Sequence, residues 1–204
     1  MLYIPSKRAM FVHVPKTGGD AIVKFMRDDV PGTDMVGGGK HWPAWKYNVM
    51  VDYQFAFVRE PVSWFRSYYA FITQNYIKPF GSYPIFEAGT WHPMRCFEKY
   101  DYKTFGAFVE SVYADQPSYY TRLVEWMTGP PDAHMMNFIG KQENLADGLS
   151  QVLRNLGFNH AANQCVHMKK VNTSKSKFKI DPFLVDLIQE QESVMYSRFN
   201  YKKL

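Results

Sequence analysis

The chain of 204 residues has little of what marks several large protein classes. Its two cysteines, Cys96 and Cys165, show no metal or redox spacing, so both are read as reduced and structural. There is no run of about 18 apolar residues and no N-terminal apolar stretch of roughly 7–15, so neither a membrane span nor a signal peptide is expected. A soluble, cytoplasmic protein is the expectation that follows. Low-complexity tracts and repeats of about 20–50 residues are absent, which excludes solenoids. No GK[ST] triplet occurs, so the Walker loop is missing, and no ligand spacing for a metal is visible. The formal charge is only +5 and its basic residues are mostly scattered, which favours anionic ligands without arguing for nucleic acid.

What is present is enough apolar residue, 46%, for one buried core, so a single domain over residues 1–204 is expected. The strongest pattern is Phe11 to Arg27, FVHVPKTGGDAIVKFMR. Phe11, Val12 and Val14 read as a buried strand, Pro15 ends it, and Lys16-Thr17-Gly18-Gly19 forms a turn. From Asp20 the spacing of Ala21, Ile22, Phe25 and Met26 predicts a helix, with Asp20 as N-cap or first-turn residue. Such a turn offers backbone N–H groups, the positive end of a helix and one lysine, which together suit a phosphate. The same residues also suit a tight βα turn that only needs small side chains.

The second pattern is Tyr53 to Ile72. Phe55, Ala56, Phe57 and Val58 form a short apolar run of the kind a buried parallel strand shows, and Arg59 follows at its carboxyl end. Pro61 opens a helix with Val62, Phe65, Tyr69 and Ile72 on one face. Ligands of open α/β sheets gather at the carboxyl ends of strands, so Arg59 and the Lys16 turn are expected to point toward one crevice. Arg59, with the hydroxyl of Ser67 eight positions on, suits a second phosphate. Taken alone, Arg59 suits a structural ion pair equally, and Ser67 a plain helix-face position.

Between these patterns lies a loop, Asp28 to Trp45, that carries Lys40, His41 and Trp42. His41 is read either as a surface histidine of a polar loop or as a general base, since an unperturbed imidazole titrates near 6.5. Glu143, after an expected strand from Met135 to Ile139, is the rival base. Asn144 then starts a helix through Leu149, Val152, Leu153 and Leu156 that Gly157 ends.

VPKTGGDAI and FVREPVSWFRSYY resemble the two cofactor motifs of sulfotransferases that use 3′-phosphoadenosine 5′-phosphosulfate (PAPS). The likeness is to the carbohydrate-type branch related to heparan sulfate 2-O-sulfotransferases and their bacterial relatives. Lys40-His41 with Ala44 resembles the K-H-x-T-A stretch of bacterial members, whose histidine is the base. Phe138-Ile139-Gly140-Lys141-Gln142-Glu143-Asn144-Leu145 resembles their F-I-G-R-x-E-N-L segment, Val171-Asn172-Thr173-Ser174 their loop over the nucleotide, and Phe199-Asn200-Tyr201 their terminal F-G-Y. The likeness runs from about Phe11 to Tyr201 and gives no guidance between roughly Gln74 and Asp132. It implies a P-loop-kinase-like α/β fold in three layers, with a central parallel β-sheet flanked by helices.

The resemblance further implies transfer of a sulfuryl group to a hydroxyl of a carbohydrate or small hydroxylated acceptor, with PAP as product and no metal. Lys16, Thr17, Gly18, Gly19, Asp20 and Ala21 would hold the 5′-phosphate end, Arg59 and Ser67 the 3′-phosphate, and Asn172 and Ser174 the loop over the nucleotide. Lys16 and His41 would be the catalytic pair. Three residues depart from the family pattern: Asp20 stands in place of Thr or Ser, Glu60 in place of Asp or Asn, and Pro43 in place of Thr. Asp20 either caps its helix, binds Lys16 or the acceptor, or weakens cofactor affinity; Glu60 is expected to be tolerated. A phosphotransferase on the same scaffold and a non-catalytic binder of 3′,5′-phosphorylated adenosine are the alternatives.

The remainder is read more coarsely. Tyr76 to Tyr102, aromatic and broken by glycines and prolines, is expected to be a long loop that either builds the acceptor site or packs on itself. Thr104 to Met127 is expected to be helical, with Gln116, Tyr120 and Arg122 able to reach an acceptor. A terminal amphipathic helix is expected from Pro182, and Met1 to Met10 is read as a short basic lead into the first strand.

Overall fold

The computed structural model describes residues 1–36, 41–46, 49–75, 103–168 and 178–203. They group into two compact units, Met1–Arg59 with Val124–Thr173, and Glu60–Leu123 with Ser174–Leu204.

The first unit holds a five-stranded sheet in the order β3-β1-β2-β4-β5. Its parallel centre is β2 (Ala9–Val12), β4 (Tyr53–Val58) and β5 (Phe138–Lys141), with Phe55 of β4 opposite Phe11 on one side and Phe138 on the other. Both faces of the middle strand are buried, which is why Phe55, Ala56, Phe57 and Val58 read as a continuous apolar run. The expectation of an α/β fold with a central sheet flanked by helices holds, and two antiparallel strands extend the parallel core.

Those two strands correct the reading of the first ten residues. Leu2–Ile4 forms β1, antiparallel to β2 through a 3-10 turn at Pro5–Lys7, and β1 pairs on its far side with β3 (Asp34–Met35). Three residues of strand are too few to show a period, although Met1, Leu2 and Ile4 are all buried.

One sheet face, carrying Leu2, Ile4, Ala9, Phe11, Phe55 and Phe57, packs with three helices. Helix α1 (Gly19–Asp29) contributes Ile22, Phe25 and Met26, and α5 (Leu145–Asn155) contributes Leu149, Val152 and Leu153. Helix α6 (Asn159–Gln164) adds Ala161 and Ala162, too few apolar positions to announce a helix in the sequence. Each large buried side chain here is worth about 1.5–3 kcal/mol relative to exposure. At the end of α5, Gly157 has φ 82, its N–H donates to the Arg154 carbonyl (3.0 Å), and that of Phe158 donates to Leu153 (2.8 Å), the paired bonds of a glycine C-cap. Strand β5 starts later than Met135 because a 3-10 turn at Pro131–Ala133 and a left-handed His134 come first.

The second unit is helical, with α2 (Pro61–Asn75), α3 (Phe105–Asp115), α7 (Pro182–Gln191), α8 (Ser193–Arg198) and the start of α4 (Tyr119–Thr128). Trp64 is its buried centre, stacked on Tyr120 (4.3 Å, 17°) and near Phe65, Tyr68 and Tyr119. The helical stretch expected over Thr104 to Met127 is therefore two helices, parted after Gln116 with Ser118 at φ 55. The expected terminal helix is also two, parted at Glu192. The buried Glu192 carboxylate accepts from the N–H groups of Tyr120 and Thr121 and the hydroxyls of Thr121 and Tyr113, so it caps α4 from the junction between α7 and α8. Among the described residues no helix is long and apolar enough to cross a membrane.

Candidate functional site

The chain leaves β2 through a bend in which the Val14 N–H donates to the Val12 carbonyl at 3.1 Å. Lys16 (φ 65) and Gly18 (φ 84) then both take left-handed backbone conformations, the kind of turn whose successive N–H groups can form an anion-binding concavity. Gly18 is the N-cap of α1, so the amides of Gly19 and Asp20 open the helix at the positive end of its dipole. The Ala21 N–H is engaged within the turn, donating to the Gly18 carbonyl at 3.0 Å. The Thr17 hydroxyl is buried and donates to the Val14 carbonyl at 2.8 Å, a bond that braces the turn from behind. Lys16 is half-buried, and Asp20 stands in the first helical turn, where its charge suits the helix dipole.

Gly18 is favoured by its left-handed backbone and Gly19 by close approach. A Cβ on Gly18 would meet Leu145 Cδ2 at 3.0 Å and Gln142 Cγ at 3.4 Å, from the junction between β5 and α5. A Cβ on Gly19 would overlap the ring of His13, with Cε1 at 2.7 Å and other ring atoms nearer still. His13 is buried, stacks on Phe11 (5.5 Å, 25°) and was missed as a site residue by the sequence reading. The available signal was one polar residue inside the apolar run Phe11 to Val14.

His41 lies beside that turn. Its Nδ1 is 2.9 Å from the His13 carbonyl oxygen, and its ring meets the His13 ring edge-on at 4.5 Å and 63°. A carbonyl only accepts, so Nδ1 carries the hydrogen in this bond, and in the neutral ring the lone pair is then on Nε2. Downstream the segment is anchored again. Buried Ala44 opens a 3-10 turn, Lys46 N–H donates to the Pro43 carbonyl (3.2 Å), and Trp45 Nε1 donates to the Trp126 carbonyl (3.0 Å). Pro43 thus starts a turn at the position where the resembled motif has threonine.

Arg59 follows the last residue of β4 and is half-buried, while the Lys16 turn follows β2. These strands are parallel neighbours, with Val12 opposite Ala56, so both residues stand at the carboxyl end of the same sheet. The junction from β5 to α5, with Gln142, Glu143 and Asn144, belongs to that end too, and Glu143 is exposed there.

Ser67 is buried on α2, within the second unit. At the start of α2 the Glu60 carboxylate accepts from the N–H groups of Val62 (3.0 Å) and Ser63 (2.7 Å) and from the Tyr196 hydroxyl, which gives the departure at that position a capping role. Tyr120 is corrected from acceptor candidate to core, being fully buried against Trp64. Lys40, Cys96, Asn172, Ser174 and the stretch 76–102 lie outside the described residues. Cys165 is a buried free thiol, pushed up to about 11 by burial. Among the described residues no group of three or more His, Cys, Asp or Glu side chains is placed to hold a metal ion.

The sequence model of the Sulfotransferase family matches residues 39–201, well over half of the chain, and the chain belongs to that family. The matched span takes in His41, Arg59 and Ser67 and begins beyond the Lys16 turn. No curated protein and no solved structure matches the chain.

Proposed function

We propose that the protein transfers a sulfuryl group from PAPS to a hydroxyl of a carbohydrate or small hydroxylated acceptor, in the manner of the carbohydrate-type branch its motifs resemble. The observation that carries this is the gathering of the Lys16 turn, His41 and Arg59 at the carboxyl end of the parallel strands of one sheet, in a chain of the sulfotransferase family. The fit of a phosphate to the turn rests on the left-handed Lys16 and Gly18 and on Gly19, where no Cβ has room. PAPS, when bound, supplies an activated sulfuryl group on a phosphate leaving group.

The roles of the protein's residues follow from charge and hydrogen bonding. Lys16 and the amides of Gly19 and Asp20 place positive charge where phosphate charge grows, which is the usual source of electrostatic catalysis. Arg59 offers a forked donor to the 3′-phosphate, and the family motif adds Ser67, Asn172 and Ser174 to the nucleotide's binding set. His41 accepts the acceptor's hydroxyl proton at Nε2 while Nδ1 stays bonded to the His13 carbonyl. Positioned bases of this kind contribute about 10²–10⁴-fold to rate. Asp20, a carboxylate in the first turn beside this phosphate site, favours a second reading, a non-catalytic binder of 3′,5′-phosphorylated adenosine.

Two measurements test the reading. Calorimetry with PAP against ATP plus magnesium is expected to favour PAP, and a preference for ATP rejects the donor assignment. Turnover of PAPS with a panel of glycans and small alcohols is expected to vanish in His41→Ala while PAP binding survives. Turnover retained in that variant removes His41 as base, and PAP binding without turnover on any acceptor supports the binder.

A further inference from the structure

We propose that His13 is a positioning residue for the transfer, coupling the phosphate turn to the base through one imidazole and one carbonyl; this rests on the reading of His41 as base. Three contacts meet at His13. Its carbonyl oxygen takes the hydrogen of His41 Nδ1 at 2.9 Å, its ring meets the His41 ring at 4.5 Å and 63°, and its ring fills the space above Gly19 that any Cβ would occupy. The ring is itself held from behind by Phe11 at 5.5 Å and 25°, and Phe11 is fully buried in the sheet. His13 therefore has no room to tilt without moving Gly19 or His41.

Each contact has a consequence for the chemistry. The carbonyl bond selects the Nδ1–H tautomer, which free histidine populates as the minor form, and so leaves Nε2 as the basic nitrogen. The edge contact fixes the plane of the His41 ring, and with it the direction in which the Nε2 lone pair points. The seat over Gly19 sets the distance between β2 and the opening amides of α1. One side chain thus registers the group that receives the proton against the groups that hold the phosphate. An error of about 1 Å in such a registration costs on the order of 10²-fold in rate.

The test uses the full chain, with ¹⁵N-labelled histidine, PAPS turnover and PAP calorimetry. The protein has six histidines, and the His41 signals are identified by their loss in His41→Ala. In the wild type, His41 is expected to show a protonated Nδ1 and an unprotonated Nε2. In His13→Ala the backbone carbonyl remains, so His41 is expected to keep its protonated Nδ1, while loss of the ring lowers kcat on the order of 10–100-fold and changes the PAP affinity and acceptor KM far less. A wild-type spectrum with the proton on Nε2 overturns the proposal without any variant, which decides the matter even if His13→Ala fails to fold. A folded His13→Ala with wild-type kcat also overturns it. Failure of the base assignment is distinct, because there His41→Ala itself retains turnover.

Discussion

The ring of His13 and the α-carbon of Gly19 share a space that admits one side chain, not two. Gly19→Ala is therefore expected to destabilise the fold by about 1–3 kcal/mol, the usual range for overpacking, and to weaken PAP binding by shifting the turn. Removing the ring in Gly19→Ala/His13→Ala is expected to recover part of the lost stability. Urea denaturation of the single and double variants checks this, and strictly additive losses would show that the overlap is relieved elsewhere.

Lys16 and Arg59 leave adjacent parallel strands at the same end. Lys16→Ala and Arg59→Ala are each expected to weaken PAP binding by about 1.5–3 kcal/mol, the range for a hydrogen bond to a charged group. The loss should shrink as salt is raised, since part of the attraction is screened. Calorimetry at two ionic strengths measures both effects, and wild-type affinity in either variant withdraws that residue from the phosphate site.

Glu60 serves α2 and α8 at once, accepting from two N–H groups and from the Tyr196 hydroxyl. Burial, and then that carboxylate, push the Tyr196 phenol well above its usual range. Glu60→Ala is expected to cost about 0.5–2 kcal/mol for the lost cap alone. Combined with Tyr196→Phe in a double-mutant cycle, it should show coupling of about 0.5–3 kcal/mol. A coupling of zero would mean that the hydroxyl contributes nothing to the cap.

Glu192 is an acid whose pKa is raised above 4.5, first by burial, with its four hydrogen bonds opposing the shift. The folded state then holds the proton more tightly than the unfolded one. Its contribution to stability is fully present below pH 4.5 and is lost as pH rises through the higher folded value. The stability difference between wild type and Glu192→Gln should accordingly change across that window in favour of the variant. Denaturation at a series of pH values is the measurement, and a difference independent of pH contradicts it.

Cys165 is buried, its Sγ–H donates to the Ala161 carbonyl at 3.6 Å, and burial holds its pKa near 11. In a Cys96→Ser background a thiol reagent at neutral pH is expected to label it only after unfolding. Rapid labelling of the folded protein would place this thiol at the surface.

Much of the fold was legible in local pattern. The buried run Phe55 to Val58 announced the central strand, the 3.6-residue spacings announced α1, α2 and α5, and Gly157 announced the end of α5. What was missed lay in elements too short to repeat, such as β1, β3 and α6, or in breaks inside apolar stretches. Ser118 and Glu192 each divide a stretch that reads as continuous, because a left-handed residue in one case and a buried carboxylate in the other interrupt it without altering the apolar spacing.

By itself the sequence determined the parts of the candidate site that are carried on one segment: the lysine and glycines of the turn, and an arginine placed one residue beyond a buried strand. Only the tertiary structure decided which segments meet there. The approach of His41 to His13 joins positions 28 residues apart through a carbonyl and a ring edge, and neither leaves a period or a motif in the chain. Hydrogen bonds and ring contacts between distant segments depend on how strand β2 and the loop after α1 are laid against each other, and the core decides that.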